Sequence, residues 1–166
     1  MPEQASFDIT TGCDLQEVDN AVNQANKELT QRYDFRHVAF TIDFQRDKNK
    51  LVVSAPDEFK QQAVMDVLQQ KLVKRQVPIQ NLKEGKKEAA SGGSVRQEYD
   101  LAQGIEAEVA KKIVKFVKEQ KLKKVQASIQ KDQVRVTSPS RDELQTAIAA
   151  LRAQDFGIAL TFGNYR

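Results

Sequence analysis

Polar side chains recur at every second position in two neighbouring stretches of the chain. The first stretch carries Gln126, Ser128 and Gln130, and the second carries Gln133, Arg135 and Thr137. Because alternate residues of a β-strand face the same side, a hairpin of these stretches would align all six groups on one sheet face. Amide, hydroxyl and guanidinium groups on a rigid surface suit base edges and phosphates. The pattern therefore predicts either a polar ligand site or an ordinary solvated sheet face.

A run of lysines lies just before this hairpin, on a helix predicted to begin at Gly104. Its helical repeat places an apolar stripe, which includes Val109 and Ile113, on the side opposite most of these lysines. The lysines assigned to this surface are Lys111, Lys112, Lys115 and Lys118. The surface is either a solvated helix face, with lysines favoured toward the helix C-terminus, or a binding surface for an anionic partner such as RNA.

Residues able to perform catalysis are few. The single histidine, His37, has no identifiable Ser or Cys partner, and the single cysteine, Cys13, excludes an intrachain disulfide. Together they are too few for a Cys/His zinc site. Cys13 lies at a predicted helix start, where the pKa of its thiol could be lowered. With no phosphate-binding loop or G-x-G-x-x-G pattern either, we predict a protein that is not an enzyme and has no metal site or cofactor.

These residues belong to a chain that repeats itself. Residues 38–44 are echoed by 125–130, and residues 51–56 by 134–139, as alternating apolar and polar positions. Amphipathic helices are predicted to begin at Asp14, Asp57, Gly104 and Ser140, with further strands at 77–80, 95–101 and 158–162. Each half then reads strand, helix, strand, strand, helix, strand. The predicted fold class is α+β, with two tandem ferredoxin-like (βαββαβ) units built on antiparallel sheets.

The predicted domain boundaries follow the repeat. The first unit spans 1–82, a charged and glycine-rich flexible linker spans 83–94, and the second unit spans 95–166. Residues 91–166 carry 13 Lys and Arg against 9 Asp and Glu, so the second unit is the more basic. No apolar run reaches the roughly 20 residues of a membrane span, and the N-terminus lacks signal-peptide features. We therefore predict a cytoplasmic protein with no membrane contact.

The strands at 51–55 and 133–137 contain no aromatic residue, which argues against the base stacking of RNA-recognition modules.

Short blocks along essentially the whole chain, in the same order, resemble the bacterial YajQ family. They include residues 6–9, 14–17, 32–36, 103–105, 111–115, 124–130 and 140–145. The resemblance implies a nucleotide-binding protein, with purine nucleotides, RNA and cyclic di-GMP among the ligands of the family. It also implies that the leading strands of the two units are exchanged, so that residues 7–9 pair in the C-terminal sheet.

With this resemblance, we predict non-enzymatic binding of an anionic purine nucleotide, for example cyclic di-GMP. Signalling would then pass through a transcription-related protein or a nucleic acid. Arg135 and Arg141 are the predicted phosphate contacts. The other predicted site residues are Gln126, Ser128 and Gln130 for base or ribose edges, and Arg32, Asp34 and Phe35 near the end of the first helix. The alternative is an RNA-associated protein that binds, for example, tRNA through the lysine-rich helix face.

Overall fold

The computed structural model describes residues 4–89 and 91–166. The α-helices within these ranges are α1 (Leu15–Gln31), α2 (Glu58–Lys74), α3 (Ala107–Glu119) and α4 (Arg141–Arg152). The strands are β1 (Ala5–Thr10), β2 (Thr41–Gln45), β3 (Lys50–Ala55), β4 (Leu82–Ala89), β5 (Val95–Leu101), β6 (Gln126–Gln130), β7 (Gln133–Ser138) and β8 (Thr161–Gly163).

The strands form two antiparallel sheets of four strands each, in the orders β6-β7-β1-β8 and β2-β3-β5-β4. Each is the order of a ferredoxin-like unit in which the leading strand lies beside the third and fourth strands. The leading strands are exchanged between the two halves of the sequence. β1 pairs with β7, with Phe7 opposite Val136, and β5 pairs with β3, with Gln97 opposite Val53. The predicted fold class and the strand exchange are both confirmed.

The exchange makes one unit an insertion within the other. One compact unit, here the inserted unit, is the contiguous segment 13–102. The other, here the split unit, combines the residues up to Gly12 with Gln103–Arg166. The predicted boundaries at 82 and 95 are therefore wrong. A sequence repeat shows that two units exist, but it does not show which sheet each leading strand joins.

The segment predicted as a flexible linker, 83–94, is mostly a strand. β4 pairs with β5 from Leu82 opposite Leu101 to Ala89 opposite Val95, with one irregularity in register. Charged side chains and irregular pairing are typical of an edge strand, because both discourage pairing with another chain. A protected edge strand therefore has a composition that is hard to distinguish from that of a linker.

Other predicted boundaries also move. The strand expected at 77–80 is absent, because a 3₁₀ turn spans Ile79–Asn81 and the next strand begins only at Leu82. Strand β2 begins at Thr41 rather than at Val38. Helix α3 begins at Ala107 rather than at Gly104. Gly104 packs against the β6–β7 turn, where a Cβ on this glycine would lie 2.8 Å from the Cβ of Asp132. This close approach explains why position 104 is a glycine, and the glycine does not mark the start of the helix.

The predicted N-terminal caps of α1 and α4 are present. Asp14 Oδ1 accepts hydrogen bonds from the N–H groups of Gln16, at 3.0 Å, and Glu17, at 3.3 Å. Ser140 Oγ accepts one from the N–H group of Glu143, at 3.3 Å. These acceptors satisfy N–H groups that the first turn of a helix leaves without partners. The caps therefore set where both helices begin.

Each unit buries its own apolar core between its helices and one face of its sheet. In the inserted unit, Leu29, Val53 and Leu68 are fully buried. In the split unit, the apolar residues of β1 and β7 alternate inward toward α3 and α4. The buried side chains of this second core include Phe7, Ile9, Ile113, Val134, Val136, Ile148 and Leu151. Except for Ser138, which is buried, the polar residues of these two strands consequently lie on the opposite sheet face.

Candidate functional site

The β6–β7 hairpin aligns the polar side chains as their spacing predicts. Gln126 lies opposite Thr137, Ser128 opposite Arg135, and Gln130 beside the two-residue turn. The three β6 side chains are exposed, and Gln130 Nε2 donates a hydrogen bond to Ser128 Oγ at 3.2 Å. We call this surface the strand face. It is a row of accessible hydrogen-bonding groups on an open sheet rather than an enclosed pocket.

Arg135, the predicted phosphate contact on this face, is held by Asp8 of the adjacent strand β1. Its Nε donates to Asp8 Oδ1 at 2.9 Å, and Asn164 Nδ2 donates to Asp8 Oδ2 at 2.6 Å. The hydrogen bond from Arg135 is the largest influence on the pKa of Asp8, which is lowered although burial opposes the shift. The charge of Arg135 is therefore largely offset by a buried carboxylate, which weakens its attraction for a phosphate.

Arg141, the second predicted phosphate contact, is the first residue of α4 and is exposed. No acidic side chain forms an ion pair with it within residues 4–89 and 91–166. Arg141 follows the end of β7 at which Thr137 pairs with Gln126. It thus remains an accessible cation near one end of the strand face.

The predicted residues Arg32, Asp34 and Phe35 belong to the inserted unit, where they interact with one another. Arg32 Nη2 lies 2.7 Å from Asp34 Oδ2, and Arg32 Nε donates to Asp34 Oδ1 at 3.0 Å. The hydrogen bond from Arg32 lowers the pKa of Asp34. Phe35 is buried, and its ring is covered by Arg32 and by Lys60. These contacts stabilise the end of α1 and leave the Phe35 ring unable to stack on a base.

The accessible aromatic ring of this segment is that of Tyr33, whose exposed fraction is 84%. The guanidinium of Arg36 lies 5.7 Å from the centre of the Tyr33 ring. Tyr33 was not among the site residues predicted from the sequence. The alternation of charged and aromatic residues from Arg32 to Arg36 was the available signal, because neighbouring residues in a tight turn face different sides.

The lysine-rich face of α3 is exposed to water as predicted, at Lys111, Lys112, Lys115 and Lys118. Lys115 Nζ lies 4.0 Å from Glu119 Oε1 across one helical turn. Such an exposed pair contributes little stability, so it does not remove the ammonium group from contact with a ligand.

Two of these lysines also line a concavity that was not predicted from the sequence. The cleft has a volume of about 320 Å³ and lies between α3 and the segment that follows α4. Its lining residues are Lys112, Lys115, Phe116, Glu119, Gln154, Asp155 and Phe156. Phe116 and Phe156 meet edge to face, with ring centres 5.5 Å apart and planes at 86°. We call this concavity the α3–α4 cleft.

The α3–α4 cleft combines two features that suit one kind of ligand. Half-buried phenylalanine rings offer an apolar surface to a flat aromatic ring. Ammonium groups at the rim offer charge-assisted hydrogen bonds to an anion. Phe116 could have been noticed as the large aromatic residue next to the lysines, but its partner Phe156 is 40 residues away in the sequence.

The residues considered for catalysis do not assemble. Cys13 is buried, and burial raises the pKa of its thiol, although Asn81 opposes the shift. The expected lowering of this pKa is therefore wrong. His37 occupies a left-handed backbone conformation in a connecting segment. Over the described part of the chain, no group of three or more His, Cys, Asp or Glu side chains could hold a metal ion.

Along residues 4–89 and 91–166, no helix is both long and apolar enough to cross a membrane. The fold defines a class of proteins with two ferredoxin-like units, one inserted into the other. The sequence matches the family model described as "Nucleotide-binding protein YajQ-like" over residues 5–166. The chain belongs to this family.

Curated relatives agree with the family match. Proteins named "Nucleotide-binding protein" from Bacillus cereus, Bacillus anthracis and Bacillus thuringiensis are 51% identical to the chain over 166 residues. Each alignment covers 100% of both sequences. The similarity therefore extends over both units.

Proposed function

We propose that this protein binds an anionic purine nucleotide, without converting it, in the α3–α4 cleft. The observation that supports the proposal most directly is that Phe116 and Phe156 share one concavity with Lys112 and Lys115. Contact between a base and an aromatic ring is worth about 1–3 kcal/mol, and lysines supply the phosphate contacts. The names of the Bacillus relatives support a nucleotide as the ligand.

The volume of the cleft limits the size of the ligand. At about 320 Å³ it lies near the lower end of the range for small-molecule sites, roughly 300–1,000 Å³. It suits a single nucleotide. A cyclic dinucleotide such as cyclic di-GMP would place one base in the cleft and leave the other outside.

We further propose that the nucleotide-bound protein is recognised in the cytoplasm by a transcription-related protein or a nucleic acid.

The strand face is the second candidate contact surface. Gln126, Ser128 and Gln130 can bond base or ribose edges, and Arg141 supplies an accessible positive charge. Because Asp8 offsets its charge, Arg135 fits a hydrogen bond to a neutral oxygen better than an ion pair with phosphate. In the inserted unit, the internal pairing of Arg32 with Asp34 makes these residues weaker candidates for ligand contact.

The chemistry of the cleft lining supports binding without turnover. No hydroxyl, thiol or imidazole group is among its described lining residues. Its carboxylates are Glu119, which lies near Lys115, and Asp155, whose Oδ1 accepts a hydrogen bond from the N–H of Gly157 at 2.8 Å. Catalysis by a serine, threonine or cysteine nucleophile requires a hydroxyl or thiol beside an activating base, and the described lining supplies neither group.

Calorimetric titration of the full chain with AMP, GMP and cyclic di-GMP tests the proposal. We expect saturable binding of at least one of them, and a loss of about tenfold or more in affinity when Lys112 and Lys115 are both replaced by alanine. The matched control replaces Lys27 and Lys74, which line a separate groove on the inserted unit. The proposal fails if no nucleotide gives saturable heat, or if both double variants bind as the parent does.

RNA binding is the second candidate function, and one observation favours it. Lys111 and Lys118 are exposed on α3 but do not line the cleft. A single nucleotide bound in the cleft would not contact these two lysines, whereas a strand of RNA could place one base in the cleft and neighbouring phosphates on the lysines. Steep salt dependence of binding would support this alternative.

A further inference from the structure

The two sheets of the protein protect their edges to different degrees. From the strand orders, the edge strands are β6 and β8 in one sheet and β2 and β4 in the other. An unprotected edge presents unpaired N–H and C=O groups on which a strand of another chain can assemble. Short length, charged side chains and irregular pairing are the usual means of preventing this.

Three of the edge strands carry such protection. β8 has three residues, and β2 has the exposed Asp43 at its centre. β4 carries five charged residues and an irregular register. Pairing of a further strand with any of these edges is disfavoured.

β6 carries none of these protections. Its five residues are Gln126, Ala127, Ser128, Ile129 and Gln130, with no charge, proline or glycine. Its register with β7 is regular. Within the described residues, its backbone forms no hydrogen bond outside the sheet, and 42% of Ile129 is exposed. It is an uncharged edge with regular pairing and an exposed apolar side chain.

We infer that β6 is a self-association surface, on which β6 of a second copy of this chain pairs in antiparallel orientation. The two sheets would then join into one sheet of eight strands. A two-fold axis at Ser128 gives the best match between the facing side chains of the two β6 strands. It places Ser128 opposite Ser128 of the second copy, Gln126 opposite Gln130, and Ile129 opposite Ala127. Amides then meet amides, and the exposed isoleucine gains an apolar neighbour.

Charges beside the strand support this register and limit its strength. The same axis places Lys124 of one copy opposite Asp132 of the other copy. This pair of opposite charges occurs once at each end of the paired strands, so the dimer contains it twice. Lys123 and Lys131 gather at the same ends and repel each other. A single pair of five-residue strands also buries less area than a standard interface. The dimer is therefore weak.

Sedimentation velocity of the full chain, from about 5 to about 500 μM, measures this association, because dimer formation follows mass action. We expect the average mass to rise with concentration. Ser128→Lys places two ammonium groups opposite each other on the axis and should leave the chain monomeric throughout. Thr41→Lys, at an exposed position of the β2 edge, is the matched control and should associate as the parent does. Circular dichroism verifies that each variant is folded.

The register has its own test. Lys124→Glu and Asp132→Lys should each weaken the dimer, and the double exchange should restore it, because it swaps the two charges across the axis. A parent chain that stays monomeric at the highest concentration overturns the inference. So does a dimer that forms equally well with Ser128→Lys. A dimer that responds to Ser128→Lys but not to the charge exchange overturns the proposed register. None of these outcomes depends on whether a nucleotide binds.

Discussion

Asp8 and Arg135 form an ion pair between neighbouring strands, with Arg135 Nε 2.9 Å from Asp8 Oδ1. Asp8 is buried, whereas the side chain of Arg135 is about one-third exposed. The pair joins two central strands of the split unit that are more than 120 residues apart in the sequence. A residue chosen as a ligand contact therefore has a structural partner.

This pair predicts an acid-sensitive part of the stability. The pKa of Asp8 is below its ordinary value of 3.8, so its stabilising contribution is complete above that value and is lost as pH falls through the lower, folded-state pKa. Asp8→Asn should lower the melting temperature at pH 7, with a difference from the parent that shrinks below about pH 4. Thermal melts between pH 2 and pH 7 measure this, with Asp47→Asn, at an exposed position, as control. A difference that is constant with pH would contradict the prediction.

Phe156 should contribute to ligand affinity through its ring. Phe156→Ala removes one side of the Phe116 pair, and the expected cost of about 1–3 kcal/mol corresponds to a dissociation constant raised roughly 5- to 150-fold. Calorimetry with the tightest-binding nucleotide measures the change. Tyr165→Ala removes another exposed aromatic ring of the split unit and should leave affinity unchanged. Equal effects of the two variants would argue against the cleft as the base site.

Salt dependence should separate a nucleotide site from an RNA surface. Each lysine that neutralises one phosphate of single-stranded RNA adds about 0.7 to the slope of log affinity against log salt. Replacing Lys111 and Lys118 by glutamine should therefore reduce this slope by about 1.4 for RNA, while nucleotide affinity stays the same. Fluorescence anisotropy with a labelled oligouridine at several salt concentrations gives the slope. An unchanged slope would remove Lys111 and Lys118 from the RNA surface.

Gly104 should tolerate no side chain unless the turn beside it changes. In Gly104→Ala, the new Cβ would lie 2.8 Å from the Cβ of Asp132, so the β6–β7 turn must shift. Overpacking of this kind costs about 1–3 kcal/mol of unfolding free energy. Asp132→Gly in the same chain removes the obstructing atoms and should recover part of the loss. Urea unfolding measures both variants, and full stability of Gly104→Ala would contradict the close contact.

Ser140 gives a simple test of helix capping. Its Oγ accepts the N–H of Glu143, so Ser140→Ala should lower the free energy of unfolding by about 1 kcal/mol. Ser140→Asp keeps an acceptor at the same position and should remain close to the parent in urea unfolding. Equal losses in both variants would show that the cap is not responsible.

The sequence is informative where structure depends on neighbouring residues. Alternation from Gln126 to Thr137 predicted the hairpin and its polar face, and Asp14 and Ser140 predicted two helix starts. The exchange of the leading strands was anticipated through the family resemblance. The alternation in Phe7 and Ile9 identifies a strand but not its neighbours, because many apolar strands could pair with it.

The candidate site was less predictable because it depends on long-range contacts. Nothing near Arg135 in the sequence indicates that Asp8 will offset its charge. Phe116 and Phe156 belong to different elements, so neither indicates a cleft by itself. Phe35 was predicted as a site residue near the end of the first helix, but it is buried because it packs against the core of the inserted unit.

The insertion of one unit within the other has a consequence for dissecting the protein. A cut at the middle of the sequence would separate β1 and β5 from the sheets to which they belong, and neither fragment would keep a complete sheet. The inserted unit can instead be removed at its own boundaries, Gly12 and Gln103. Gly12 and Gln103 approach closely, since a Cβ on Gly12 would lie 3.1 Å from Gln103 Oε1. Residues 13–102 could thus be expressed as one polypeptide. A second polypeptide could join the residues up to Gly12 to Gln103–Arg166 through a short linker.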